Sequence, residues 1–258
     1  MQLFKQNIVL FTLLLLSGAC QSQEAVPVDP IPVSILPKTL FVESYNQKNP
    51  TTYAYTWQGE TLISFSETTL NTTTNKDFVL TYDITRNAKS LVQSIKYSYK
   101  GANYADGSQI WDYSYSTDGL QIRNSGNNTW TYNSVGNLLS LDYGTGTINN
   151  LLSLQYNSAN LLTKLLWKEG SYLDKTNTLG EFTTIENPLY ILAKKTQFLN
   201  MPYNDAVITL ACSMLIPKSY NNGAIDNFVT YDLDAQHRIN AITIKNNGIV
   251  LKKFTFGY

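Results

Sequence analysis

The sequence predicts an all-β fold: a long antiparallel meander forming a strongly curved sheet or barrel, with one short helix near 187–200. Three observations predict it. From residue 38 onward, segments alternate Tyr, Trp, Thr, Ile and Val with polar residues, as strands with one buried face do. Clusters of Asn, Gly, Ser and Asp separate those segments, and such short connections force successive strands to pair antiparallel. One stretch, 186–201, abandons the alternation for apolar residues three and four apart. A chain of 258 residues is ample for one such domain, undivided.

The first element is a targeting segment. Lys5 supplies a positive start, and 8–16 is an apolar run of nine, broken only by Thr12 and too short to span a bilayer. Ser17, Gly18 and Ala19 lead to Cys20. This resembles a bacterial lipoprotein signal, in which the cysteine is acylated and becomes the mature N-terminus. Leu16 departs from that pattern by standing four residues before the cysteine rather than three. An ordinary secretory signal with an incidental cysteine is the plainer alternative. Residues 1–19 are read as the signal peptide and 20–37 as the acylated Cys20 with a tether. The single β domain is 38–258. The tether holds Pro27, Pro30, Pro32 and Pro37, four of the eight prolines, which stiffen it toward polyproline II. At about 3 Å per residue it reaches roughly 50 Å. The expected partner is a membrane, met through the acyl anchor, and the expected place is the outer membrane, on either face.

Strands are expected at 52–57, 61–66, 78–84, 92–100, 110–116, 129–133, 151–156, 160–168, 207–215, 227–233, 239–246 and 249–258. Asp118-Gly119, Gly136-Asn137, Asn222-Gly223 and Asn246-Asn247-Gly248 mark turns, because Gly and Asn tolerate positive φ. A motif recurs among these strands: a tyrosine ends one, a polar turn follows, and an apolar residue opens the next. Tyr132-Asn-Ser-Val-Gly-Asn-Leu138 and Tyr156-Asn-Ser-Ala-Asn-Leu161 show it, and Tyr115 and Tyr231 start a shorter and a longer copy. Unequal copies argue for a hairpin habit rather than a solenoid. A tyrosine there packs its ring and keeps its hydroxyl hydrated. The helix has Asn187 as its N-cap and Pro188 at its first position, and should cross the sheet's end or plug its concave side.

The turn motif resembles YD (Rhs-type) repeats, with Tyr231, Asp232, Arg238 and Ile239 matching best. The whole chain resembles Bacteroidota lipoproteins carrying domain of unknown function 4595, through the signal, the tether, the Tyr-rich hairpins and Asn187-Pro188. That resemblance implies a porin-like β fold and no activity.

Nothing in the sequence marks an enzyme, and no cofactor or metal is expected. His237 is the one histidine, and no G-x-S-x-G stretch, phosphate loop or dinucleotide fingerprint is present. With Cys20 acylated, Cys212 remains as a small buried hydrophobe. Lys plus Arg and Asp plus Glu number 19 each, so no net field favours nucleic acid. Asp112, Asp142, Glu169, Glu181, Glu186 and Asp232 are candidates for a carboxylate pair of a glycoside hydrolase. The aromatic residues offer a glycan or small-ligand site if Trp57, Trp111, Tyr113, Trp130 and Tyr132, with Tyr115, lie on an open face. Cross-strand packing of the same rings is the plainer reading. A terminal strand with Phe254, Phe256 and Tyr258 on one face resembles that of a spanning barrel. The leading expectation is an anchored envelope lipoprotein with a non-catalytic binding or structural role.

Overall fold

The computed structural model describes residues 36–45, 47–71, 76–101, 104–143, 150–169, 174–199 and 205–258. The signal peptide, Cys20 and the tether up to residue 35 lie outside them. The strands are β1 (Thr39–Ser44), β2 (Gln47–Gln58), β3 (Thr61–Asn71), β4 (Lys76–Arg86), β5 (Val92–Gly101) and β6 (Tyr104–Tyr115). Then come β7 (Gln121–Asn124), β8 (Asn128–Tyr132), β9 (Leu138–Tyr143), β10 (Asn150–Tyr156), β11 (Leu162–Glu169), β12 (Lys175–Leu179) and β13 (Phe182–Glu186). Helices α1 (Pro188–Lys195) and α2 (Asp205–Ala211) follow, then β14 (Leu215–Pro217), β15 (Ser219–Asn221), β16 (Asp226–Leu233), β17 (Ile239–Asn246) and β18 (Ile249–Gly257).

Sixteen of these strands close into an antiparallel barrel in which each pairs with its chain neighbours, save that β12 pairs with β15 and β1 with β18. The segment between β12 and β15 leaves the wall; β13 and β14 pair only with each other. A barrel of sixteen strands is too wide for wall side chains alone to fill. The departing segment occupies part of it as a plug. Leu189, Tyr190, Phe198, Leu199, Ile208 and Leu210 are buried against the inward faces of the wall, in two apolar clusters.

Asn187 caps α1 as expected: its Oδ1 accepts from Leu189 N at 3.0 Å, and its Nδ2 donates to the carbonyls of Leu210 and Ser213. The expected strand at 207–215 is instead α2 followed by β14. A run of β-branched and apolar residues reads equally as a buried strand or a buried helix turn, and immersion in the plug decides for the helix.

The recurring motif has one geometry. In Asn87–Leu91, Asn133–Asn137, Asn157–Leu161 and Asp234–Arg238, the first side-chain oxygen accepts from backbone N–H groups two and four residues on. The fourth residue takes positive φ: Ser90 60°, Gly136 81°, Asn160 59°, His237 59°. Aligned on the Asn or Asp, these turns are of equal length; the longer copy arises from starting it at Tyr231, two residues inside β16. All four turns cap the same end of the barrel.

The tyrosine hydroxyls are not left to water. Tyr115 Oη donates to Val92 O at 2.6 Å, Tyr156 Oη to Leu138 O at 2.9 Å and Tyr258 Oη to Ile239 O at 3.0 Å. Each acceptor stands just past the turn of the preceding hairpin, so each tyrosine ties one hairpin to the last. Tyr132 Oη reaches the plug instead, donating to Gln197 O at 2.5 Å.

Outside, the wall at β2, β4, β5 and β6 is largely polar, with Ile63, Ile110 and Phe228 exposed as isolated apolar residues. Thr52, Thr56, Asp83, Thr85, Lys96, Ser108, Asp112 and Ser114 face outward and are exposed, while Phe254 and Phe256 point inward at 0% and 4% exposure. This reverses the pattern of a spanning barrel, whose apolar band faces lipid. The terminal aromatic strand serves the core. No helix among the described residues is long and apolar enough to cross a membrane.

Candidate functional site: a chamber inside the barrel

The rings proposed for an open glycan face are wall and core residues. Trp130 is 1% exposed, and Tyr113 and Tyr132 are buried; Tyr113 meets Trp130 edge-on at 5.9 Å. Trp111 packs edge-on against Tyr97 at 5.2 Å, and Trp57 Nε1 donates to Pro37 O at 2.9 Å. Trp130, Tyr113 and Tyr132 thus present no open aromatic face. The rings fill the inside of a wide wall, where cross-strand packing holds them. Asp112, Asp142, Glu181, Glu186 and Asp232 are exposed, on separate elements; the side chain of Glu169 lies outside the described residues. His237 is an exposed turn residue and Cys212 is fully buried, its thiol pushed up by burial. Among the described residues, no three His, Cys, Asp or Glu side chains gather as a metal site.

The plug does not fill the whole interior. Between it and the wall formed by β18, β1, β2 and β3 lies a cavity of about 240 Å³. Period-two alternation builds its outer wall. On β1, Leu40 and Val42 face in; on β2, Thr51, Tyr53 and Tyr55; on β3, Phe65 and Glu67; on β18, Lys252 and Phe254. The inner wall is Leu189, Leu192, Ala193 and Thr196 from α1 and its C-terminus, with Val207 and Ala211 from α2.

The lining is graded along the barrel axis. Leu62 and Phe65 stand nearest the end that carries the short turns and the plug. Register then carries Tyr53 opposite Glu67 and Leu40, Thr51 opposite Thr69 and Val42, and Lys252 opposite Ser44, progressively toward the other rim. An aromatic band runs on from the chamber across the wall: Tyr55 to Phe65 at 6.1 Å, Phe65 stacked on Tyr82 at 4.4 Å, Tyr82 to Tyr97 at 6.3 Å. Farther along, Tyr99 lies flat over Gly107, where a Cβ would come within 2.1 Å of its hydroxyl. Glycine is required there so that the ring can lie on the sheet.

Several polar groups in this setting are displaced from ordinary behaviour. Burial raises the Glu67 carboxyl, against a hydrogen bond from Tyr53 that lowers it. Burial, and next the Glu67 charge, hold the Tyr53 hydroxyl protonated well above its usual range. Burial lowers the Lys252 ammonium. The arrangement can hold a small, largely apolar molecule with a polar end.

Reading the sequence for site residues missed Glu67 and Lys252. The signal was present in both strands. Lys252 is two residues before Phe254 and four before Phe256, and Glu67 is two after Phe65, so alternation puts each charge on an apolar, inward face.

No family model matches the chain, and no curated protein does. Among solved structures, it is similar to a porin-like protein from Bacteroides uniformis, with 10% identity over 85% of this chain and 96% of that one and a TM-score of 0.38.

Proposed function

We propose that this protein is a non-catalytic envelope lipoprotein. In this reading acylated Cys20 anchors a water-facing barrel at the outer membrane, and the barrel holds a small apolar or amphipathic molecule inside. The observation that carries the binding role is the chamber of about 240 Å³, lined chiefly by Leu, Val, Phe, Tyr and Ala side chains. An apolar cavity of about 150 Å³ already admits benzene, so this one takes a hydrocarbon tail of moderate length. The polar outer wall supports attachment by an anchor rather than by insertion of the strands. The sequence around Cys20 supplies that anchor, since several acyl chains on one cysteine hold a protein stably.

Decanol is a suitable neutral test ligand for the full chain. Calorimetric titration should give saturable binding of one decanol per chain, with a negative heat-capacity change from apolar burial. The absence of saturable binding would refute the binding role. Anchoring is tested separately: Cys20→Ala should move the protein from the membrane to the soluble fraction, and unchanged membrane association would contradict acylation.

A further inference from the structure

Building on the chamber reading above, we infer that the ligand is an amphiphile with an anionic head, a medium-chain carboxylate, seated with its carboxylate on Lys252 and its tail among the apolar residues nearer the plug. Lys252 is 7% exposed and lines the chamber, yet among the described residues its ammonium makes no hydrogen bond or ion pair. An ammonium has three donors and no acceptor, so one that meets the chamber without a protein partner is open to an acceptor from a ligand. Ser44 stands directly across the strand pair from it, and its buried Oγ has no hydrogen-bond partner among the described residues. An ammonium that meets the chamber without a protein acceptor marks the place of an anion's oxygen atoms.

Glu67 does not fill that place. It forms no ion pair with Lys252 and is tied to Tyr53 across β2 and β3. With Glu67 held by Tyr53, Lys252 is the chamber charge left without a protein partner, which sets the preferred sign of a ligand. The graded lining orients that ligand. Lys252 and Thr51 stand toward the far rim, while Leu62, Phe65, Leu189 and Leu192 receive the tail. Burial lowers the ammonium, and a bound carboxylate would offset that effect.

Titration of the full chain with decanoate and with decanol at pH 7 tests this, because the two differ only in the head. Wild type should bind decanoate at least ~10-fold more tightly than decanol, a difference of about 1.4 kcal/mol. Lys252→Met keeps the stem length and an apolar wall. It should bind decanol as wild type does, which also shows that it is folded, and bind decanoate no better than decanol. Equal affinities in wild type, or a preference for decanoate that survives in K252M, would overturn the inference while leaving the chamber intact. Binding of neither ligand by wild type would overturn the chamber reading as well.

Discussion

Replacing Asn133 by Ala tests the turn geometry that closes the barrel's end. Its Oδ1 accepts from Val135 N at 3.1 Å and from Asn137 N at 2.9 Å. Val135 is 52% exposed, so water replaces its partner at a cost of about 0.5 kcal/mol. Asn137 is 3% exposed, and an N–H stranded there costs about 1–3 kcal/mol. The expected loss is about 2 kcal/mol, or roughly 4–8 °C in melting temperature for a domain of this size. Asn133→Asp keeps the acceptor and should stay within about 0.5 kcal/mol of wild type. Urea and thermal unfolding followed by circular dichroism measure both. The reasoning fails if Asn133→Ala unfolds like wild type, or if Asp is as damaging as Ala.

Other residues make separable predictions. Tyr156→Phe removes the bond to Leu138 O and should cost about 1 kcal/mol in urea unfolding; no loss would mean that the hairpin tie is ornamental. Arg86 donates to Lys195 O at 2.6 Å and Leu62 O at 3.4 Å, joining plug to wall, so Arg86→Met should speed amide exchange over 194–199; unchanged exchange there would contradict the latch. Alkaline pH should unfold the barrel cooperatively. Burial pushes the Tyr115 and Tyr258 hydroxyls up to about 12, so the folded chain keeps protons that the unfolded chain releases near pH 10. Their contribution is complete below about pH 10 and is lost as pH rises through about 12. Tyrosinate absorbance should rise together with loss of the β signal; ionisation of these phenols in a chain that stays folded would refute the assignment.

Much of this fold is legible along the strands, and less of it inside. Alternation placed most of the long strands, and Asn187-Pro188 located α1. Short strands such as β7, β14 and β15 carry too few residues for a period to show. Residues 207–211 read as strand because a wholly buried segment has no polar face to reveal its period. Trp130 and Tyr132 show the limit for function: ring chemistry is visible in sequence, but whether a face meets solvent depends on what fills the barrel. Lys252 shows the converse. Its neighbours Phe254 and Phe256 set its face, while its lack of a partner emerges only once Ser44 is seen across from it.

The central claim, a ligand chamber between plug and wall, is tested most directly by blocking it from within. Thr51 lines the chamber and Thr56, on the same strand, faces outward and is exposed. Tryptophan is well tolerated in strands, so either substitution should fold. Calorimetric titration with decanol should show at least ~10-fold weaker binding by Thr51→Trp and wild-type binding by Thr56→Trp. Undiminished binding by Thr51→Trp, with wild-type binding intact, would place the ligand elsewhere and contradict the account.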